Sequence, residues 1–264
     1  MDYKLKGKRA LVTGSSKAVG IGRATANMLA AEGAHVILHG RSKEALAPAL
    51  ASLPGASMVV GDLSSQAGID DVIAQVEAIG PVDILVNNAA TFEPKDFFDI
   101  PYDEWVYFFE TNVMSGVWLS RALMPGMLAR DWGRILFIAS ESAVNIPVEM
   151  IHYGMTKTAQ LAVSRGLSEK TKGTNVTVNA VMPGPTMTDG VDIFLDDFAR
   201  TEGIDKSRFV NETFFREARP SSLLQRFTTP EEVAHMIVYL CSPLSSATNG
   251  SALRVDGGVV KSAF

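Results

Sequence analysis

The 264-residue chain carries one cysteine, Cys241, and four histidines, His35, His39, His152 and His235. A single cysteine excludes an internal disulfide and fits a reducing compartment, so a cytoplasmic location is expected. The histidines fall at no metal-ligand spacing, and no metal is expected. Long hydrophobic runs are missing too. None reaches the roughly 18 residues that a membrane span needs, so no membrane partner is expected. The opening stretch, residues 1–9, is charged and lacks the apolar core of a secretory signal. Net charge is −5, which leaves no basic footprint for nucleic acid. Repeats, low-complexity tracts and linkers are absent. What is present is a 47% hydrophobic composition, enough for a large core.

Apolar runs of strand length alternate with helical periodicity. Strands are expected at 9–14, 35–40, 57–61, 82–86, 135–139, 176–181 and 252–255. Helices are expected at 21–32, 42–53, 66–79, 102–110, 112–130 and 151–172. Val113, Val117, Met124 and Leu128 share a face of the fifth. Ala159, Ala162, Val163, Gly166 and Leu167 mark the buried face of the sixth. Thr229-Pro230-Glu231-Glu232 opens a further helix with a capping box. This alternation predicts an α/β fold, a doubly wound parallel Rossmann-like sheet of about seven strands with helices on both faces. Residues 1–264 are expected to form one domain. The pattern breaks at about 187–222, where Phe194, Phe198, Phe209, Phe214 and Phe215 lie among charges. That stretch reads as a lid over a site, or as a packed excursion or subunit contact.

Ligands in such sheets bind beyond the carboxyl ends of the strands. Gly14, Gly40, Asp62, Asn88, Ser140 and Pro183 all lie at such ends. Gly14 and Gly20-Ile21-Gly22 stand between a strand and a helix, the setting in which glycines let a pyrophosphate approach a helix N-terminus. Ser140 ends the strand at 135–139. Tyr153 and Lys157 follow, four apart and so on one helix face. In that setting the lysine would lower the phenol's pKa and the serine would hold a substrate oxygen. Alone, the pair equally describes a surface tyrosine beside a solvated lysine. Glu141 reads as a site-rim or structural carboxylate, and His152 should point away from Tyr153. At the end of the second strand, Gly40 stands where NAD-specific sites place an acid, and Arg41-Ser42-Lys43 follows. An arginine fork suits a 2′-phosphate, so NADP(H) is expected over NAD(H), with Lys17 adding charge. Arg41 stacking on adenine without selectivity is the other reading.

In this order, Thr13-Gly14, Gly20-Ile21-Gly22, Asp62-Leu63, Asn87-Asn88-Ala89-Ala90, Asn112, Ser140, Tyr153-x-x-x-Lys157, Pro183-Gly184 and Val255-Asp256-Gly257-Gly258 resemble the short-chain dehydrogenase/reductase family. The tail looks most like the branch labelled 3-oxoacyl-[acyl-carrier-protein] reductase. The resemblance implies hydride transfer between a nicotinamide and a carbonyl carbon, with Asn112, Ser140, Tyr153 and Lys157 as the catalytic set. Tyr153 is then the general acid–base, and Asn112 holds a water that links Lys157 to solvent. Asn112 also reads as an N-cap. The cofactor-binding set is Gly14, Ser16, Lys17, Gly20, Ile21, Gly22, Arg41, Asp62, Leu63, Asn88, Ala89, Tyr153, Lys157, Pro183, Gly184, Thr186 and Thr188. Ser142, Met150, Pro185, Met187 and Phe194 are expected around a small carbonyl or alcohol substrate. One departure is plain: five residues separate Gly14 from Gly20, where the family usually has three. True acyl-carrier-protein reduction would need a basic patch, for which Arg200, Lys206, Arg208, Arg216 and Arg219 are candidates. A catalytically dead dinucleotide-binding regulator is the reading from another class. A homo-oligomer, tetramer or dimer, is implied by analogy, with the helices from Asn112 and Ile151 as interface faces.

Overall fold

A computed structural model describes residues 2–263, Asn211 through its backbone only. Seven parallel strands form one sheet in the order β3-β2-β1-β4-β5-β6-β7. They are β1 (Arg9–Val12), β2 (His35–Gly40), β3 (Ser57–Val60), β4 (Ile84–Asn87), β5 (Gly133–Ile138), β6 (Val176–Pro183) and β7 (Ala252–Val255). The order reverses between β1 and β4, where Ala10 pairs with both Val36 and Ile84. Such a reversal opens a crevice at the carboxyl rim of the sheet.

Both faces are covered. Alternate strand residues feed two cores, as the pleat requires. Ala10, Val12, Val36, Leu38 and Leu136 meet α1 (Ile21–Ala31), α2 (Lys43–Ser52) and α10 (Pro230–Cys241). Leu11, Ile37, Ile135 and Phe137 meet α3 (Gln66–Ile79) and α5 (Ser115–Ala129) on the other side. Chain chemistry sets the ends. Thr229 and Glu232 make the expected capping box around Pro230. Among the described residues no helix is long and apolar enough to cross a membrane.

Three expectations change. The helices expected at 102–110 and 112–130 are one rod: α4 (Tyr102–Phe109) runs through a π turn, Glu110–Met114, into α5. Asn112 lies inside that turn, so it caps nothing. Helix α6 (Ile151–Glu169) buries most deeply a face about a quarter turn from the one expected. His152, Thr156, Lys157, Gln160, Ser164 and Ser168 face inward, while Ala162 and Gly166 are exposed and Ala159, Val163 and Leu167 are half-buried. The inward stripe must carry the polar site residues, which displaces the apolar one outward. The excursion holds more helix than expected: α7 (Asp189–Glu202), α8 (Lys206–Arg208), a π turn and α9 (Phe214–Glu217). Its phenylalanines stack mainly on one another, from Phe194 through Phe198, Phe209 and Phe214 to Phe215 and Phe227.

Candidate active site

Strand β5 is buried throughout and is followed by polar residues, which delivers Ser140 to the rim. Its Oγ accepts the Ser142 N–H at 3.1 Å. Helix α6 then brings Tyr153 to face it, near enough for the Ser140 hydroxyl to pull the phenol's pKa down. Lys157 is 2% exposed. Its Nζ donates to Ile138 O at 2.8 Å and to Gln160 Oε1 at 3.2 Å, and lies 5.5 Å from the Tyr153 ring centre. Gln160 Nε2 in turn donates to the main-chain oxygen of Asn112 at 2.5 Å.

The electrostatics of the pair differ from the expectation. Burial pushes the Tyr153 phenol up to about 12, against the pull of Ser140 and Arg219 and with help from Glu141. Burial pushes Lys157 down to about 7. Burial, not Lys157, therefore sets the Tyr153 pKa in this arrangement. The Lys157 ammonium is turned to carbonyl acceptors, and desolvation of the phenol dominates. The Asn112 side chain is also fully occupied. It accepts from Thr91 N (2.8 Å) and donates to Thr91 O and Thr156 Oγ1 (both 3.0 Å), and Thr156 Oγ1 donates to Tyr153 O at 2.7 Å. It braces helix α6 against the segment at Thr91.

The glycine-rich loop forms the neighbouring half of the site. Gly14 has φ +65°, and a Cβ there would lie 2.9 Å from Ala89 Cα. A Cβ on Gly22 would lie 2.5 Å from Asn88 Nδ2. Asn88 itself clamps the loop, donating to Thr13 O at 2.8 Å and Gly14 O at 3.1 Å, so its amide serves the loop before any ribose. Gly20 caps α1 with no side-chain hydrogen bond. The first turn of α1, with Ile21, is thus open toward an anion, and the cradle fits a dinucleotide pyrophosphate.

Around it, Lys17 is exposed and Ser16 half-buried on the loop. Arg41 is exposed at the end of β2, near enough to Asp62 to depress that carboxylate, although the Ser64 N–H is the larger cause. Leu63 is buried in the core, leaving only its backbone for a ligand. Pro183 ends β6, and a Cβ on Gly184 would lie 2.5 Å from Asp256 O. Thr186 is spent within the protein: its hydroxyl bonds Gly184 O and Thr228 Oγ1. Pro185 O accepts from Thr228 N–H, and Met187 N–H donates to Thr228 O. Thr188 N-caps α7. Ser142 is buried with its hydroxyl on Glu141, so it supports the loop. Met150 is half-buried at the start of α6, and Phe194 packs on Phe198.

Sequence reasoning missed the contacts of five groups, Gln160 among them. His39 Nδ1 accepts the Gly14 N–H at 3.1 Å while Nε2 meets Gly61 O at 3.2 Å, tying together three strand ends. Arg23 folds back from α1 onto Ser15 O and Ser16 O, holding the lengthened loop. Arg219 reaches in from the excursion after β6 to pair with buried Glu141 at 2.8 Å and with Glu149 at 3.3 Å. Phe92 lies edge-on to Tyr153 at 6.3 Å. Only Gln160 carried a legible signal, being one helical turn beyond Lys157. His152, as expected, points away from Tyr153, between Trp105 and Phe108. The described residues contain no group of His, Cys, Asp or Glu arranged for a metal.

Comparison with known proteins agrees with this geometry. Residues 14–260 match the family model described as enoyl-(acyl carrier protein) reductase. The uncharacterized oxidoreductase YvaG of Bacillus subtilis is 47% identical over 270 residues, covering 100% of both chains. The D-beta-hydroxybutyrate dehydrogenase of Cupriavidus necator is 33% identical, covering 97% of this chain and 99% of its own. The solved L-sorbose reductase of Gluconobacter frateurii, complexed with NADPH and L-sorbose, is 35% identical with a TM-score of 0.91, covering 99% of this chain and 100% of that one. The chain belongs to the short-chain dehydrogenase/reductase family, oxidoreductases acting on CH–OH and C=O groups.

Proposed function

We propose that this protein interconverts a ketone and a secondary alcohol on a free small molecule, with NADP(H) as its preferred cofactor and NAD(H) as the weaker one. The observation that carries the reading is the meeting of Ser140, Tyr153 and Lys157 at the rim of the sheet, beside an open glycine cradle. When bound, NADPH supplies the hydride. Ser140 holds the carbonyl oxygen as negative charge builds there. Tyr153 gives its phenolic proton to that oxygen, completing the alcohol, and is later reprotonated from solvent. In oxidation the phenolate takes the alcohol proton. The raised phenol pKa suits the acid role in reduction, and positive charge brought by oxidised cofactor would favour the base role.

The preference for NADP(H) is supported at Gly40. A Cβ there would lie 3.0 Å from Leu46 Cγ and 3.2 Å from Ser16 Cβ, leaving no room for an acidic residue without a shift. Exposed Arg41 and Lys17 stand on that side of the site, where a 2′-phosphate would be met. The related L-sorbose reductase was solved with NADPH.

The carrier-protein alternative loses support because four of the five residues of its basic patch are paired with acids. Arg200 pairs with Asp197, Lys206 with Asp192 and Asp196, Arg208 with Glu212, and Arg219 with Glu141 and Glu149. Strong preference for an acetoacetyl thioester over free ketones, in an NADPH-oxidation panel, would reverse that ranking. The deciding variant is Tyr153→Phe. It keeps NADPH affinity within a few-fold and loses most turnover; near wild-type kcat would refute the catalytic assignment. Binding of NADPH without turnover on any carbonyl would favour the regulator reading. We further propose a cytoplasmic homo-oligomer, tetramer or dimer, assembled through the outward apolar faces of α5 and α6.

A further inference from the structure

Lys157 and Asn112 are joined by a side chain. The π turn at Glu110–Met114 shifts the helix hydrogen-bond register, so that the Ser115 N–H reaches back to Glu110 O. Within this turn the Asn112 carbonyl faces α6 and accepts from Gln160 Nε2 at 2.5 Å. The other end of the same amide accepts from Lys157 Nζ at 3.2 Å. Gln160 is itself 2% exposed. It thus spans the line from the lysine ammonium to that carbonyl, with both of its polar functions used and no solvent in contact.

We propose that the Gln160 amide directly bridges Lys157 and the Asn112 main chain, taking the place of a water there, and so acts as a positioning residue for the catalytic lysine. The inference rests on the catalytic reading of Tyr153 and Lys157 given above. An amide oxygen accepts but does not donate. It therefore holds Nζ as a donor, which favours the ammonium over the amine. No carboxylate opposes that ammonium. Its acceptors are Ile138 O and Gln160 Oε1, and burial alone depresses it. The phenol beside it also feels Glu141 from the loop after β5 and Arg219 from the excursion after β6. Loss of the bridge would weaken the ammonium, remove positive field from Tyr153, and raise the pH at which its phenolate forms.

Two substitutions separate this bridge from a packing role. Gln160→Leu fills the space but offers neither polar function. Gln160→Ala leaves room for a water with partners at Nζ and at the Asn112 carbonyl. A bridging role predicts that Ala keeps kcat within a few-fold of wild type. Leu loses on the order of tenfold or more in kcat, with little change in ketone KM. Leu also moves the rise of alcohol oxidation to higher pH and weakens NADPH binding, read by cofactor fluorescence without turnover. A packing role predicts the reverse order, with Leu the milder change. Should Gln160→Leu fail to fold, Gln160→Met, as long and lacking both amide functions, is measured in its place. Wild-type kcat and pH profile in the apolar variant, or Ala as the more damaged of the two, overturns the proposal. Retained turnover in Tyr153→Phe instead overturns the catalytic reading beneath it.

Discussion

At the scale of the residue, His39 shows how a buried polar group is held in one protonation state. Its Nδ1 accepts the Gly14 N–H, so the proton sits on Nε2, which donates to Gly61 O. Burial pushes its pKa down to about 4, with the Gly61 bond and Asp62 pulling the other way. In the unfolded chain the same imidazole protonates near pH 6.5. Between those values the unfolded chain binds the extra proton, so this contribution is complete above about pH 6.5 and is lost as pH falls toward 4. The size is about 3 kcal/mol. Urea unfolding followed across pH 4 to 7 should lose stability in that window, and His39→Asn should flatten the loss. A pH dependence unchanged by the variant would remove His39 as its source. Gly40 offers a second test. Gly40→Asp places a crowded carboxylate beside a 2′-phosphate and should cut kcat/KM for NADPH by tenfold or more, equivalent to about 1.4 kcal/mol, with NADH less affected.

At the scale of the element, the excursion after β6 is joined by charge to the loop after β5. Arg219, just past α9, pairs with Glu141, one residue beyond Ser140, and both are buried. The pair itself adds little to stability, because both ions are desolvated. Breaking one side strands a buried carboxylate. Arg219→Met should therefore cost about 3–5 kcal/mol, while the double variant Arg219→Met with Glu141→Gln recovers much of it. Equal losses in the single and double variants, by urea unfolding, would mean that packing rather than charge is at stake. The continuous rod of α4 and α5 belongs to this scale as well. Asn112 reaches Thr91 and Thr156 because a π turn places it there, not because it starts a helix.

At the scale of the whole molecule, α5 and α6 present an apolar groove outward. Val117, Met124, Leu128, Val163 and Leu167 line it. The exposed rings of Phe98, Tyr102 and Tyr107 lie on the segment that leads into the same rod. The apolar stripe of α6 packs on the core with one edge only, and its half-exposed edge at Val163 and Leu167 is available to a second copy of the chain. Leu167→Glu should shift the assembly toward smaller species in sedimentation velocity, leaving far-UV circular dichroism intact. Unchanged sedimentation would move the interface elsewhere.

What the sequence determined by itself was the order of elements and the rim they share. Strand-length apolar runs and helix caps are local signals, so β1 to β7 and the capping box at Thr229 were legible within a few residues. Parallel connectivity then gathered Gly14, Ser140 and Pro183 at one edge, whatever their separation in the chain. Tertiary structure decided the rest, because it depends on groups far apart in sequence. Periodicity marked the apolar stripe of α6 but not which stripe would face the sheet; the polar site residues took that side. Spacing placed Tyr153 beside Lys157 but not their proton affinities, which desolvation sets. The clamps of His39, Arg23, Arg219 and Gln160 close only when strands, helices and the excursion after β6 pack. No local pattern encodes a hydrogen bond such as that from Gln160 to the Asn112 carbonyl, 48 residues earlier in the chain.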